Sequence, residues 1–356
     1  MTALTLIADP VARGVGRLVA APGPIEALGW RRDDARLLVA SRSGGGVIDA
    51  TFADLPEFLT AGDVLVVNTS ATLPAAVTTE DGLLLHVSSE LPGGLRLVEL
   101  RRPANRGAGS LPFTESRPGT IALPGGGSAR LLAPFPAGAP ARLWVAQLDL
   151  PGGLLAYLAD HGRPIRYGED ARAWPLDAYQ TVFASEAGSA EMASAARGFT
   201  PELVTALVAR GIVFAPIVLH CGVSSPETGE APQPERYRVS AASALLVNAA
   251  RHDRRRVIAV GTTATRAIET VADEAGFVHP GEGWTELVIS PQRGIRAVDG
   301  LVTGWHEPEA SHLDLIDAVA GRQTLERSYA AAVKLGYRGH EFGDFHLILP
   351  DVPHRA

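Results

Sequence analysis

The sequence has one cysteine, Cys221, and one lysine, Lys334. A single cysteine excludes an intramolecular disulfide and any zinc site built on two or more thiolates. A single lysine leaves almost no room for Schiff-base chemistry, and no GxxxxGK[ST] phosphate loop surrounds it. No run reaches the roughly 18 apolar residues of a membrane helix. The start, Met1–Pro10, lacks the positive charge of a secretory leader, and Asp9 and Pro10 interrupt its apolar stretch. The expected location is therefore the cytoplasm. With 32 Lys+Arg against 39 Asp+Glu, the net charge of −7 argues against a chain that coats nucleic acid non-specifically. A local basic patch stays open.

At 356 residues the chain exceeds one typical core, so two domains are expected. Ten glycines and eight prolines fall between Glu80 and Pro140, and they separate short apolar runs such as Leu95-Arg96-Leu97-Val98 and Leu143-Trp144-Val145. Turn-punctuated short runs indicate a small all-β unit, barrel or sandwich, over residues 78–150. The alternative is a disordered insert.

The flanks, 1–77 plus 151–356, read as an α/β domain with a mostly parallel sheet. Asp63–Val67 is a buried strand running into Asn68-Thr69-Ser70. Thr200-Pro201-Glu202 opens a helix with a capping hydroxyl, proline at the first position and an acid at the positive dipole end. Its stripe is Leu203, Val204, Leu207 and Val208, and Gly211 ends it. Strands are expected at Ile212–Leu219, Val257–Val260, Glu286–Ser290 and Phe345–Leu349, with helices from Ser240, Thr263, Ser311 and Thr324.

Val257–Val260 followed by Gly261-Thr262-Thr263 is a buried strand turning into a helix. Backbone N–H groups and threonine hydroxyls there suit an anionic group, and Arg266 on the first turn would add a positive charge. A plain strand–helix turn is the bland alternative. His220 follows a strand and is placed for acid–base or hydrogen-bond work; Cys221 beside it reads as a small buried hydrophobe. Trp305 and His306 precede a helix, Trp305 either stacking on a purine or packing between domains. Asp344 is either a base, a ribose hydroxyl acceptor or a turn cap. His220, His306 and His312 form no tight metal cluster, so no metal is expected. The run Arg251–Arg256 reads as a solvated helix end or a phosphate contact.

Taken in order, these segments resemble one family. The matching stretches are Leu55-Pro56 through Gly62–Asn68, Tyr179–Ala184, Leu219-His220, Val260–Thr263 with Arg266, Thr303 with His306 and Pro308, and Gly336-Tyr337-Arg338 through Asp344. They are similar, in order and spacing, to the S-adenosylmethionine:tRNA ribosyltransferase-isomerases of queuosine biosynthesis. The resemblance implies an α/β domain with an inserted β-barrel. It implies S-adenosylmethionine as a ribosyl donor and 7-aminomethyl-7-deazaguanine in tRNA as acceptor, with rearrangement to an epoxycyclopentane and loss of adenine and methionine. His220, His306 and Asp344 are then the catalytic candidates. Gly261, Thr262, Thr263, Arg266, Asn68 and Trp305 are the candidates for holding the donor.

Departures from the family pattern stand out. Asn-Asp-Thr-Arg is replaced by Asn68-Thr69-Ser70-Ala71, and the arginine two residues beyond the proline by Ala76. Pro-Thr-Ala-Gly-Leu-His-Phe is replaced by Ala193–Phe199, with Gly198 at the histidine. A His-x-Met-His segment before Glu235 and Tyr237 is missing after the Pro-rich Ser224–Pro234. Lost arginines and histidines bear on the RNA acceptor more than on the donor. They frame two alternatives: a paralogue with a non-tRNA acceptor, and an inactive ligand-binding protein of the same fold.

Overall fold

The computed structural model describes residues 15–351 except 45, 114, 116–118, 137–141, 169–170, 224–231, 309 and 340. The run Met1–Pro10 and most of the Pro-rich segment before Glu235 lie outside the described residues.

Nine strands make the main sheet. In chain order they are β1 (Arg36–Ser41), β2 (Val47–Thr51), β3 (Val64–Asn68), β4 (Val213–Leu219), β5 (Glu235–Val239), β6 (Val257–Val260), β7 (Gly281–Thr285), β8 (Gly300–Gly304) and β9 (Phe345–Leu349). Their spatial order is β7-β5-β4-β3-β6-β8-β9-β1-β2. The central four, β4-β3-β6-β8, are mutually parallel, and β9 is parallel to β1. The other four neighbouring pairs are antiparallel. The sheet is thus mixed rather than mostly parallel. Among the described residues the β1–β2 and β4–β5 connections carry no helix, and a direct return reverses the strand.

Strands covered on both faces read as unbroken apolar runs. On β3, Val64 and Val66 face α3 (Ala241–His252), α4 (Thr262–Val271), α5 (His312–Ala320) and α6 (Arg322–Leu335). Leu65 and Val67 face the other way, toward α2 (Pro201–Ala209), Phe52 and Phe199. Thr200 Oγ1 caps α2 by accepting from the Leu203 N–H at 3.2 Å, and Ser240 caps α3 in the same way. Arg256, expected at a solvated helix end, turns inward and pairs with buried Asp63 at the start of β3. Two local expectations differ. Val208 is 56% exposed, because α2 packs through Leu203 and Leu207 with Val204 partly buried beside them. The strand expected at Glu286–Ser290 is instead β7, which ends at Thr285.

A second sheet has eight strands, all paired antiparallel, between Ala76 and Arg163. Its path runs from Gly119–Ala122 to Gly162–Arg163, and among the described residues these ends do not pair, so the pairing does not close a barrel. The helix α1 (Leu154–His161) buries Tyr157 and Leu158 in this sheet's core, with Leu73 and Ile165. The packed unit therefore extends past 78 and 150 and is not purely β. Among the described residues no helix is long and apolar enough to cross a membrane.

Candidate active site

In parallel α/β sheets, ligands bind beyond the carboxyl ends of the strands. Here the ends of β4, β3, β6 and β8 carry His220, Asn68–Ser70, Gly261–Thr263 and Trp305-His306. Neighbouring strands lie roughly 4.8 Å apart, so the β4 and β8 ends are on the order of 14 Å apart, about the length of an extended nucleoside.

At the β4 end, His220 Nδ1 lies 2.7 Å from Ser70 Oγ, and Ser70 Oγ lies 2.5 Å from Ser189 Oγ. The Cys221 N–H donates to Ser189 Oγ at 2.9 Å. His220 Nε2 faces Glu186 Oε1 at 3.9 Å, and Glu186 Oε2 is held by Arg238 at 2.5 Å. Burial holds the His220 pKa below the usual histidine value, against the pull of Glu186. Cys221 is buried and its thiol pKa is pushed up by burial, which fits the reading of it as a small hydrophobe.

Asn68 sits at the centre of this edge, and all of its polar capacity is spent inside the protein. Its Nδ2 donates to the Leu219 carbonyl at 2.8 Å, and its Oδ1 accepts from the Leu219 and Ser70 N–H groups at 3.0 and 3.1 Å. The side chain thereby continues the β3–β4 ladder where β3 ends, and holds the backbone before His220. At 0% exposure it offers nothing to a ligand.

At the β6 end, Gly261 has φ 96°, a left-handed conformation that favours glycine, and a Cβ there would lie 3.3 Å from the Ala195 Cβ. With no side chain capping it, the N-terminus of α4 points its first N–H groups at the strand edge. Thr262 is buried and Thr263 half-buried, with Thr263 Oγ1 3.4 Å from Asn68 Nδ2. Arg266 does not join them. It pairs with buried Glu235 and donates to the carbonyls of Leu287, Gln233 and Thr285. Its position one turn further along α4 aims it into the β5–β7 layer rather than at the helix mouth.

At the β8 end, His306 Nε2 is 3.2 Å from Thr303 Oγ1, and its ring stacks on His312 with centroids 4.6 Å apart. Tyr329 bridges the backbone N–H and carbonyl of His306. Burial and the neighbouring His312 hold the His306 pKa well below the ordinary value. Burial, with the charge of Arg266, lowers His312 to about 4. Trp305 faces inward: it is 3% exposed and stacks on His346 at 4.7 Å, with Tyr329 and Tyr337 against its edges. A ring so enclosed packs the core and does not stack on a purine. Asp344 is a loop staple whose Oδ1 accepts from the Arg36 N–H at 3.0 Å and Oδ2 from the Arg338 N–H at 2.8 Å. Burial raises its pKa against those two hydrogen bonds.

Sequence reasoning missed Ser189 and Glu186, which reach His220 only because Glu186–Ser189 pairs alongside Ser70–Thr72. The polar run Asn68-Thr69-Ser70 behind an apolar strand was the available signal. It also missed a second polar cluster, in which Tyr167 donates to Glu191 Oε1 at 2.6 Å, while Arg197 pairs with Glu26 and lies 4.9 Å over the Phe342 ring. Beside them Glu341 is half-buried, and burial plus the charge of Glu191 raises its pKa to about 8. Gly198, where the family pattern has histidine, has the Phe52 ring 2.7 Å from the place of a Cβ, so no side chain fits there without repacking. Among the described residues no group of three or more His, Cys, Asp or Glu is placed to hold a metal ion.

The family model described as "Queuosine biosynthesis protein" matches residues 18–348. The S-adenosylmethionine:tRNA ribosyltransferase-isomerase of Symbiobacterium thermophilum is 37% identical over 330 residues, covering 89% of this chain and 94% of the relative. That of Moorella thermoacetica is 37% identical over 333 residues, with the same coverage. The crystal structure of an S-adenosylmethionine tRNA ribosyltransferase from Thermotoga maritima superposes with a TM-score of 0.52 at 25% identity, covering 95% of this chain and 100% of that one. The chain belongs to the queuosine biosynthesis protein family.

Proposed function

We propose that this protein is an S-adenosylmethionine:tRNA ribosyltransferase-isomerase that transfers the ribosyl part of S-adenosylmethionine to 7-aminomethyl-7-deazaguanine in tRNA. The observation that carries the reading is the match over residues 18–348, with relatives of that name 37% identical across 89% of the chain. The alternatives of a non-tRNA acceptor or an inactive binding protein are not favoured. The full-length relatives share one name, and packing against Phe52 accounts for the glycine at the family's histidine. With tRNA as the substrate, the expected location is the cytoplasm.

The donor's sulfonium acidifies the adjacent ribose C5′ hydrogens, so the protein need supply only a positioned base, an anchor for the methionine carboxylate and a purine slot. The N-terminus of α4, Gly261–Thr263, which no side chain caps, suits the carboxylate. His306, at the end of β8 with Nε2 3.2 Å from Thr303 Oγ1, is the base candidate by position; burial and His312 keep its ring neutral at the cost of basicity. His220 completes the polar edge, and Asn68, Arg266, Trp305 and Asp344 support it from within. The second sheet with α1 forms a small domain inserted between β3 and α2, within which 78–150 is the sheet-rich part. The test is to incubate the protein with S-adenosylmethionine and tRNA carrying the aminomethyl-deazaguanine, then assay free adenine and methionine. The expected outcome is their stoichiometric release dependent on that tRNA. Absence of adenine release, together with no calorimetric binding of S-adenosylmethionine, overturns the reading.

A further inference from the structure

The hydrogen bonds behind His220 have only one self-consistent direction. The Cys221 backbone N–H can only donate, and it donates to Ser189 Oγ at 2.9 Å. Among the described residues Ser189 Oγ has one other hydrogen-bond neighbour, Ser70 Oγ at 2.5 Å, and Ser70 Oγ has one further neighbour, His220 Nδ1 at 2.7 Å. Each hydroxyl carries one proton. With the Ser189 proton given to Ser70, the Ser70 proton goes to Nδ1. The reverse direction would leave the Ser189 proton without an acceptor at a side chain that is 0% exposed. One unsatisfied buried donor biases the two arrangements by roughly tenfold or more. The imidazole is held in place as well, since a Cβ at Gly188 would lie 2.3 Å from Nδ1.

We propose that the Ser189–Ser70 relay fixes His220 as the tautomer protonated at Nε2, and that His220 meets the substrate as a hydrogen-bond donor and not as a base. The proposal rests on the strand-edge site proposed above. In this state the Nδ1 lone pair is used by Ser70, and Nε2 carries a hydrogen toward the open side of the ring, next to Glu186. The charges facing the ring are Glu186, Arg236, Glu90 and Arg96. Ser70 beside a histidine and a glutamate has the composition of a nucleophilic triad, but it is 3% exposed and committed on both sides. Ser70 and Ser189 are therefore positioning residues.

The tautomer is read directly by two-bond proton–nitrogen NMR on full-length protein with 15N-labelled histidine. The His220 signals, identified by their loss in His220→Gln, should show a proton on Nε2 and a bare Nδ1. Ser70→Ala should mix the tautomers and alter the pH profile of kcat, and Ser70→Thr should restore both. His220→Gln places an amide N–H near Nε2, so its turnover should stay within about tenfold of the parent, whereas His220→Ala should lose about a hundredfold or more. A wild-type spectrum with the proton on Nδ1, or His220→Gln as inactive as His220→Ala, overturns the proposal. The spectrum reads the relay with no turnover at all. A failure here is thus distinct from a failure of the proposed activity, which adenine release by the unmodified chain reads.

Discussion

Replacing Asn68 by alanine separates a structural latch from a ligand contact. The truncation strips the Leu219 and Ser70 N–H groups of their partner and leaves the Leu219 carbonyl only the Cys221 thiol at 3.8 Å, at a site with 0% exposure. An orphaned buried polar group costs about 1–3 kcal/mol. The two orphaned N–H groups and the carbonyl left with a weak thiol contact make a loss of about 3 kcal/mol, a large part of the ~5–15 kcal/mol that holds a typical domain together. At about 2.1 cal/mol/K of unfolding entropy per residue, a chain of 356 residues loses roughly 1–2 °C per kcal/mol, so Tm should fall by about 4 °C. The assay is thermal unfolding by circular dichroism, paired with calorimetric titration of S-adenosylmethionine well below the variant's Tm. A latch predicts the Tm loss with donor affinity changed by less than about tenfold, close to 1.4 kcal/mol. A Tm unchanged to within about 1 °C, or donor binding abolished in a variant of native stability, refutes the reasoning, because either result means the Asn68 amide was not satisfied inside the protein.

Three further outcomes follow from other buried groups. Arg266→Leu leaves Glu235 buried without its cation and should lose about 3–5 kcal/mol in urea unfolding. Adding Glu235→Gln should return part of that loss, and a double variant no more stable than the single counts against the pairing. Glu341 has a folded-state pKa of about 8 against an ordinary 4.5, so the folded state binds the extra proton between them. Its contribution is complete below pH 4.5 and is lost as pH rises toward 8, and Glu341→Gln should flatten the fall in stability measured across that window. Cys221, buried with a raised pKa, should resist a disulfide reagent in the native protein and react once urea unfolds it. Fast labelling of the native thiol contradicts its burial.

The sequence by itself determined the parts of this protein that depend on near neighbours. The cap Thr200, the stop at Gly336, the strands at Val257–Val260 and Phe345–Leu349, and the turn Gly261-Thr262-Thr263 are each written in a few adjacent residues. The family, too, was legible, because its motifs keep their order along the chain. Only the tertiary structure decided which polar residues remain available. Asn68, Arg266, Trp305 and Asp344 look like ligand contacts in one dimension, yet each is spent on partners distant in sequence: Leu219, Glu235, His346 and Arg36. Ser189 joins His220 for the same reason in reverse, since a parallel pairing brings residues 186–189 beside Ser70–Thr72. Hydrogen-bonding capacity is finite, so whether a polar side chain holds the fold or holds a ligand depends on what the fold brings within about 3 Å of it.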